Sequence, residues 1–141
     1  MTRGTWPETL REAARIQRHA ARQGFDWPQN DPRLWGKLAE EIRELRAVRA
    51  DPSRAADELG DLLFMVVNLS RHLHVDATRA LAGAIRKFQR RYAYVMRHAH
   101  KLPPLDDARR LERMEALWRA AKRREKTVVK VNPLAPRNKT Q

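Results

Sequence analysis

The chain has no cysteine and only five glycines among its 141 residues, and aromatic residues make up 6% of it. The lack of cysteine excludes a disulfide framework and thiolate chemistry, which suits a reducing cytoplasm. No apolar run approaches the roughly 18 residues that a membrane-spanning helix needs. The first residues, MTRGTW, also lack the apolar segment of a secretion signal. We therefore expect a cytoplasmic protein that does not bind a membrane.

Hydrophobic residues make up 42% of the chain and charged residues 33%, a balance typical of a globular protein of one domain. The net charge is +13, and 13 Lys or Arg against 5 Asp or Glu lie after Met96. Such an excess attracts nucleic acid non-specifically, or raises the local concentration of an anionic substrate. The alternative is a solvated basic surface with no dedicated partner.

An acidic motif, KLAEEIREL, begins at Lys37. A helix of 3.6 residues per turn places one apolar stripe along it. That stripe contains Leu34, Leu38, Ile42, Leu45 and Val48. Glu41 falls inside the stripe, Glu44 lies at its edge and Glu40 points further round. Taken alone, the motif is more often a solvated face with Glu–Arg pairs.

A second acidic pair, Glu58 and Asp61, opens a helix whose apolar residues surround most of its circumference between 59 and 69, a pattern that predicts a buried helix. Asn68 shares the narrow polar face of this helix. If the two helices pair antiparallel, the four carboxylates converge where water is scarce. Buried charges are paired or bind metal, and Mg²⁺ takes oxygen ligands. We therefore predict a metal site with the ligands Glu41, Glu44, Glu58 and Asp61.

Helix start signals predict an all-α fold, a bundle of four or five helices. They are a Thr5–Glu8 capping box, the pairs Asp31-Pro32 and Asp51-Pro52, and Asp76 before a helix over 77–99. We expect the first helix to end near Gln23, the third to reach about His74, and a last helix to carry Leu105, Leu111, Met114, Leu117, Trp118 and Ala121 on one side. We assign 1–126 to one helical domain and 127–141 to a basic, disordered tail.

Several polar and aromatic residues allow two interpretations. Gln17, beside a face of small residues, is suited to a nucleobase edge or merely to a neighbouring carbonyl. Trp27, in the loop FDWP, can stack on a base or anchor the loop to the core, and Trp6 and Trp35 are weaker candidates. Lys87 and Arg91, one turn apart, can extend from a core margin or grip phosphate oxygens.

Four separated blocks resemble the MazG family of all-α nucleoside triphosphate pyrophosphohydrolases. They are IQRHAARQGFDW, KLAEEIREL followed by ELGDLLFMVVNLSR, KFQRRY, and EALWRAAKRRE, and they span about 11–125. The chain looks most like the catalytic domain that forms the C-terminal half of two-domain members. The resemblance implies Mg²⁺-dependent hydrolysis of nucleoside or deoxynucleoside triphosphates to the monophosphate and pyrophosphate, in housecleaning of the nucleotide pool, with Mn²⁺ as the alternative ion.

The resemblance also implies roles for single residues. Glu40, Glu41 and Glu44 are then catalytic, with Glu40 orienting or deprotonating the attacking water. Lys87 and Arg91 bind the phosphates. Residues expected to bind the rest of the substrate, or to support the site, are Gln17, Trp27, Asn68 and Trp118, the last either near the nucleotide or simply a core aromatic.

Two positions depart from the family pattern: Ile85 replaces an asparagine in the usual ANxKF, and Met96 replaces a glutamate. They support one alternative, a catalytically weak or inactive member that binds nucleotide or a partner protein. The basic C-terminal third supports another, a helical nucleic-acid-binding module. Apolar residues on both sides of 59–73 favour assembly as a homodimer or homotetramer.

Overall fold

The structure is a computed structural model that describes residues 5–131, apart from the side chains of Trp6 and of 128–131. Five α-helices, and no β-strand, occur in this range, so the all-α prediction is confirmed. They are α1 (Trp6–Arg22), α2 (Arg33–Val48), α3 (Pro52–His72), α4 (Ala77–Arg97) and α5 (Arg109–Val131), with one 3₁₀ turn at Ala99–Lys101. None of the described helices is long and apolar enough to cross a membrane.

The predicted start signals of α1, α3 and α4 and the stop signal of α1 are in place, whereas the N-cap of α2 is Pro32 and not the expected Asp31. The Thr5 N–H donates to the Glu8 carboxylate at 2.8 Å, and Asp51 accepts from the two backbone N–H groups that follow Pro52. Asp76 accepts from the Arg79 N–H at 2.9 Å. Gly24, with φ of 86°, follows α1 in the left-handed conformation that suits glycine. These contacts satisfy backbone groups at the ends of α1, α3 and α4.

The last helix differs from its prediction. Leu105 precedes α5, so placing it on the last helix was wrong, and Leu111, which lies on the helix, is 67% exposed. The helix starts later because Asp107 accepts from the Arg109 N–H at 2.8 Å, which caps it there. It runs to Val131, past the expected end near Lys126. The division into 1–126 and a tail stays a prediction, since 132–141 lie outside the described residues.

The chain forms two compact units, which meet within α4 between Ala82 and Gly83. In the first unit, α3 packs against both α1 and α2. Its core contains Leu34 and Val48 from α2 and Met65 and Val67 from α3. The short connection before Asp51 makes α2 and α3 antiparallel neighbours, as the position of the acidic pairs requires.

The apolar circumference of α3 is only partly covered in the first unit. Leu59, Phe64 and Val66 are 46%, 46% and 44% exposed in the single chain, so burial of the whole helix stays a prediction that requires self-association. The physical reason is that α1 and α2 cover one side of α3, while the apolar residues surround most of it. Leu59 and Val66 lie on the same side of α3, and exposed apolar side chains of this kind favour self-association.

In the second unit, α4 and α5 meet through long side chains. The ring of Phe88 lies 5.2 Å from that of Trp118, and Val95 and Ala121 are buried. The other large apolar residues of α4 are largely exposed, since Ile85 and Tyr92 are 50% and 43% exposed. Val95, near the end of α4, is the buried residue of this helix among those that the structure describes.

Candidate metal centre

Glu41 lies at the centre of the α2 face that packs on α3. At 100° per residue, Glu41 is about 20° from Leu34 around the helix, whereas Ile42 is about 80° away. Glu41 is accordingly 5% exposed, and Ile42, predicted within the apolar stripe, is 43% exposed. The sequence thus places a carboxylate where a helix of this amphipathic type normally carries an apolar side chain.

Three carboxylates from two helices meet at this point. One oxygen each from Glu41, Glu44 and Glu58 lie within 4.8 Å of one another. Ligand oxygens around one Mg²⁺ are about 3 to 4 Å apart, so modest side-chain rotations suffice to close the group around an ion. Glu44 is exposed and Glu58 half-buried, which leaves one side of the group open.

The electrostatics of the group fit a cation. Burial, and then the charges of Glu44 and Asp61, raise the pKa of Glu58 above its usual value. The second oxygen of Glu41, Oε2, is buried and has no hydrogen-bond partner among the described residues. A buried carboxylate oxygen without a partner is costly, and a divalent ion supplies the missing partner. The donor set, all hard oxygens, suits Mg²⁺ or Mn²⁺.

Lys37 is a member of the site to which the sequence analysis gave no role. Its Nζ lies 2.8 Å from Oε1 of Glu40 and 2.8 Å from Oε1 of Glu41. These contacts, first with Glu40 and then with Glu41, raise the pKa of Lys37 above its usual value, and the Lys37 ammonium lowers the pKa of Glu40. The spacing of three and four residues on α2 was the available signal.

A cavity of about 770 Å³ opens beside the carboxylates in the first unit. Asp61 lines this cavity together with Glu41 and Lys37. Asp61 is outside the group of three oxygens that lie within 4.8 Å, although its charge acts on Glu58. Its role as a ligand stays a prediction.

The predicted substrate-binding residues of the first unit line the same cavity. Gln17, Trp27 and Asn68 all contribute to its wall. The amide nitrogen of Gln17 donates to the Phe64 carbonyl at 2.8 Å, the neighbouring carbonyl anticipated from the sequence. Its oxygen, Oε1, is buried without a partner among the described residues. Trp35 is not among the lining residues and is 57% exposed.

A polar network holds the loop between α1 and α2 against the end of α3. Asp26 Oδ1 lies 2.7 Å from Arg71 Nη2 and 2.9 Å from His72 Nε2. The same Arg71 nitrogen donates to Asn68 Oδ1 at 2.8 Å, and Gln29 donates to the His72 carbonyl at 2.8 Å. This network has no signature in the sequence, because the bonds that join the loop to α3 connect residues more than 40 positions apart that share no local pattern.

The remaining candidates belong to the second unit. Lys87 is exposed. Arg91 donates to Glu125 Oε2 through Nε at 3.0 Å and Nη2 at 2.8 Å, and its guanidinium lies 5.7 Å from the ring centre of Trp118. Trp118 is half-buried against Phe88. In this structure Arg91 is thus held by a carboxylate, and the phosphate-binding role of Lys87 and Arg91 stays a prediction.

Comparison with known proteins places this site in a family. Residues 29–96 match the sequence model of the MazG nucleotide pyrophosphohydrolase domain, and this range includes all four predicted ligands. The chain is 40% identical over 114 residues to a protein of Thermotoga maritima named nucleoside triphosphate pyrophosphohydrolase/pyrophosphatase MazG. It is 37% identical over 123 residues to the nucleoside triphosphate pyrophosphohydrolase of Escherichia coli K12.

These alignments cover 80% and 82% of this chain but only 44% and 45% of the two relatives. The chain therefore spans a little under half the length of the proteins it matches. The matched segment holds α2, α3 and most of α4, which are the helices that carry the acidic groups. Residues 29–96 of this chain thus form a MazG nucleotide pyrophosphohydrolase domain.

Proposed function

We propose that this protein hydrolyses nucleoside or deoxynucleoside triphosphates to the monophosphate and pyrophosphate, with Mg²⁺ or Mn²⁺ as the cofactor. The carrying observation is the group of three carboxylate oxygens within 4.8 Å, which includes buried Glu41, inside a MazG domain. The names of the two relatives support the reaction class. Removal of damaged or surplus nucleotides is the role that such a reaction would serve.

Glu41, Glu44 and Glu58 would hold the ion, with Asp61 as the fourth predicted ligand. When bound, Mg²⁺ neutralises phosphate charge and lowers the pKa of a coordinated water. Glu40, beside this group and held by Lys37 at 2.8 Å, would orient the attacking water and accept its proton. Attack at the α-phosphorus would then release pyrophosphate as the leaving group.

Positive side chains would stabilise the charge that develops on the departing phosphates. Lys37 lines the cavity beside the carboxylates, which supports this role for it. For Lys87 and Arg91 the proposal rests on their match to the family pattern. Arg91 would have to leave Glu125, or share it, to bind phosphate.

We also propose that the active form is a homodimer or homotetramer in the cytoplasm. The support is the exposed apolar surface of α3, where Leu59, Phe64 and Val66 lie largely open to solvent. The basic C-terminal third would bind nucleic acid only non-specifically.

The test is pyrophosphate release from the eight common NTPs and dNTPs, with Mg²⁺ and with EDTA, and with chromatography of the products. We expect equal amounts of monophosphate and pyrophosphate, no turnover in EDTA, and a loss of at least about a hundredfold in Glu41→Gln, because even residues behind metal ligands contribute 10- to 100-fold. Glu12→Gln is the matched control, since Glu12 is exposed on α1 and pairs only with Arg15.

Other products or partners would contradict the proposal. Diphosphate and inorganic phosphate as products would indicate attack at the γ-phosphorus instead. Absence of turnover with all eight nucleotides, together with metal-independent and steeply salt-sensitive binding of DNA or RNA, would favour a nucleic-acid-binding module.

A further inference from the structure

One face of α3 connects the acidic group to the far end of the cavity. Asp61, Phe64, Asn68 and Arg71 follow one another at spacings of three and four residues, and all four line the cavity. With a rise of about 1.5 Å per residue, Asn68 lies about 10 Å along the helix from Asp61, and Arg71 about 15 Å. A triphosphate held at Asp61 would therefore place its sugar and base near Asn68.

The amide of Gln17 has a fixed polarity in this part of the cavity. A carbonyl oxygen only accepts hydrogen bonds, so the end of Gln17 that faces the Phe64 carbonyl must be the nitrogen. The oxygen is consequently the free end, and it is buried without a partner in residues 5–131. Gln17 as a whole is only 6% exposed. A buried acceptor without a partner is unfavourable, and a hydrogen-bond donor on a ligand would remove that cost.

The amide of Asn68 has the opposite polarity. A guanidinium only donates, so the end of Asn68 that faces Arg71 Nη2 at 2.8 Å must be the oxygen. The NH₂ end is then the one that Asn68 can offer to a ligand. The same Arg71 nitrogen also contacts Asp26, and Arg71 and Asp26 have side chains only 18% and 21% exposed. Arg71 is thus held in place by the loop that carries Trp27.

We infer that Gln17 and Asn68 read the nucleoside part of the substrate, Gln17 Oε1 by accepting a hydrogen bond and Asn68 Nδ2 by donating one, and that Arg71 positions Asn68. This inference deepens the proposed function and rests on it. The ligand chemistry is an N–H or O–H donor beside an acceptor, which nucleobase edges and sugar hydroxyls both supply. Trp27 lines the same cavity and offers a ring for stacking.

The first experiment measures kcat/KM for the eight common nucleotides on wild type and on Gln17→Met, which keeps the shape of the side chain and removes the acceptor. We expect kcat/KM for the preferred nucleotide to fall by about three- to tenfold in the variant, which is the contribution of one net hydrogen bond. The differences in kcat/KM among the nucleotides should therefore become smaller. If the kcat/KM ratios between different bases become smaller, the donor to Gln17 is a base N–H. If the ratio between a ribonucleotide and its deoxyribonucleotide becomes smaller, the donor is the 2′-hydroxyl.

The 3′-hydroxyl is common to all eight nucleotides and needs its own comparison. Wild type and Gln17→Met are therefore also compared on a 2′-deoxy and a 2′,3′-dideoxy triphosphate of the same base. If wild type loses activity on the dideoxy compound and the variant does not, the 3′-hydroxyl is the donor. The role of Gln17 would be overturned if the ratios of kcat/KM between nucleotides stay within about twofold of the wild-type ratios in both comparisons, since the loss of one hydrogen bond changes kcat/KM by more than that.

The second experiment is a double-mutant cycle between Arg71 and Asn68. If Arg71 acts through Asn68, then Arg71→Met and Asn68→Ala each raise KM with little change in kcat, and the double variant is no worse than the poorer single one. Arg71→Lys should have a KM close to that of wild type, because the bonds of Arg71 to Asp26 and to Asn68 both come from the one nitrogen Nη2. Arg54→Met, on an exposed part of the same helix, is the control.

Additive effects of the two substitutions, or a fall in kcat at unchanged KM, would overturn the positioning role of Arg71. A purely structural role predicts a lower melting temperature without the non-additive change in KM. Failure of the proposed function is distinguishable, since wild type would then release no pyrophosphate from any nucleotide.

Discussion

Replacing Asp26 with asparagine tests the polar network that holds the loop between α1 and α2, which carries Trp27. The hydrogen bond from Arg71, and then that from His72, lower the pKa of Asp26 from 3.8 to about 2. At 1.36 kcal/mol per pKa unit, this difference corresponds to about 2 kcal/mol of folding stability. Since the Asp26 side chain is 21% exposed, solvent screening is modest and most of this value should be observed.

The sign of the pH dependence follows from the lowered pKa. The charged form is favoured in the folded state, so the stabilisation is complete above the unfolded value near 4 and is lost as the pH falls through about 2. The expected destabilisation of Asp26→Asn is therefore about 2 kcal/mol at pH 7 and pH 5, about half of that at pH 3, and small at pH 2.

Urea unfolding followed by circular dichroism, at one fixed protein concentration, measures these differences. Asp106→Asn is the control, because Asp106 is exposed. A destabilisation below about 0.5 kcal/mol at pH 7, the range of ordinary surface substitutions, would refute the reasoning. So would a difference that stays constant from pH 7 to pH 3.

Three further substitutions test the packing and the helix ends by the same unfolding measurement. Val67→Ala, at a position 2% exposed, should cost about 2 kcal/mol, whereas Val75→Ala, 47% exposed, should cost under about 0.5. Asp51→Ala removes the cap of α3 and should cost about 1 kcal/mol, with exposed Asp57→Ala near zero. Gly24→Ala should cost about 1 kcal/mol. The cost comes from the positive φ of 86° and not from a steric clash, because nothing lies within 4 Å of the added Cβ. Equal costs within either pair, or no cost at Gly24, would contradict these assignments.

The helices and the acidic centre were predictable because their signals are local. The capping residues Asp51 and Asp76 act within three residues of themselves, and the 3.6-residue period places Glu41 among apolar neighbours. The meeting of Glu41 and Glu44 with Glu58 required only the assumption that consecutive helices pair.

The rest depended on contacts that the sequence does not encode locally. Asp26 and Arg71 are 45 residues apart, and neither belongs to a periodic pattern that predicts the other. Periodicity also showed that α3 is apolar around its circumference, but it could not show which side α1 and α2 leave open. The start of α5 is a different case, because its signal is local: Asp107 accepts from the N–H of Arg109, and the expectation of Leu105 on the helix overlooked this cap.

Direct binding of Mn²⁺ to the protein without nucleotide tests the central claim that α2 and α3 hold a shared cation. Titration followed by electron paramagnetic resonance, or by calorimetry, gives the affinity of wild type and of Glu41→Gln, Glu58→Gln and Glu12→Gln. We predict saturable binding that Mg²⁺ competes away, weakened at least about tenfold in the first two variants and unchanged in the third. Binding of equal strength in all four proteins, or none in wild type, would contradict the account.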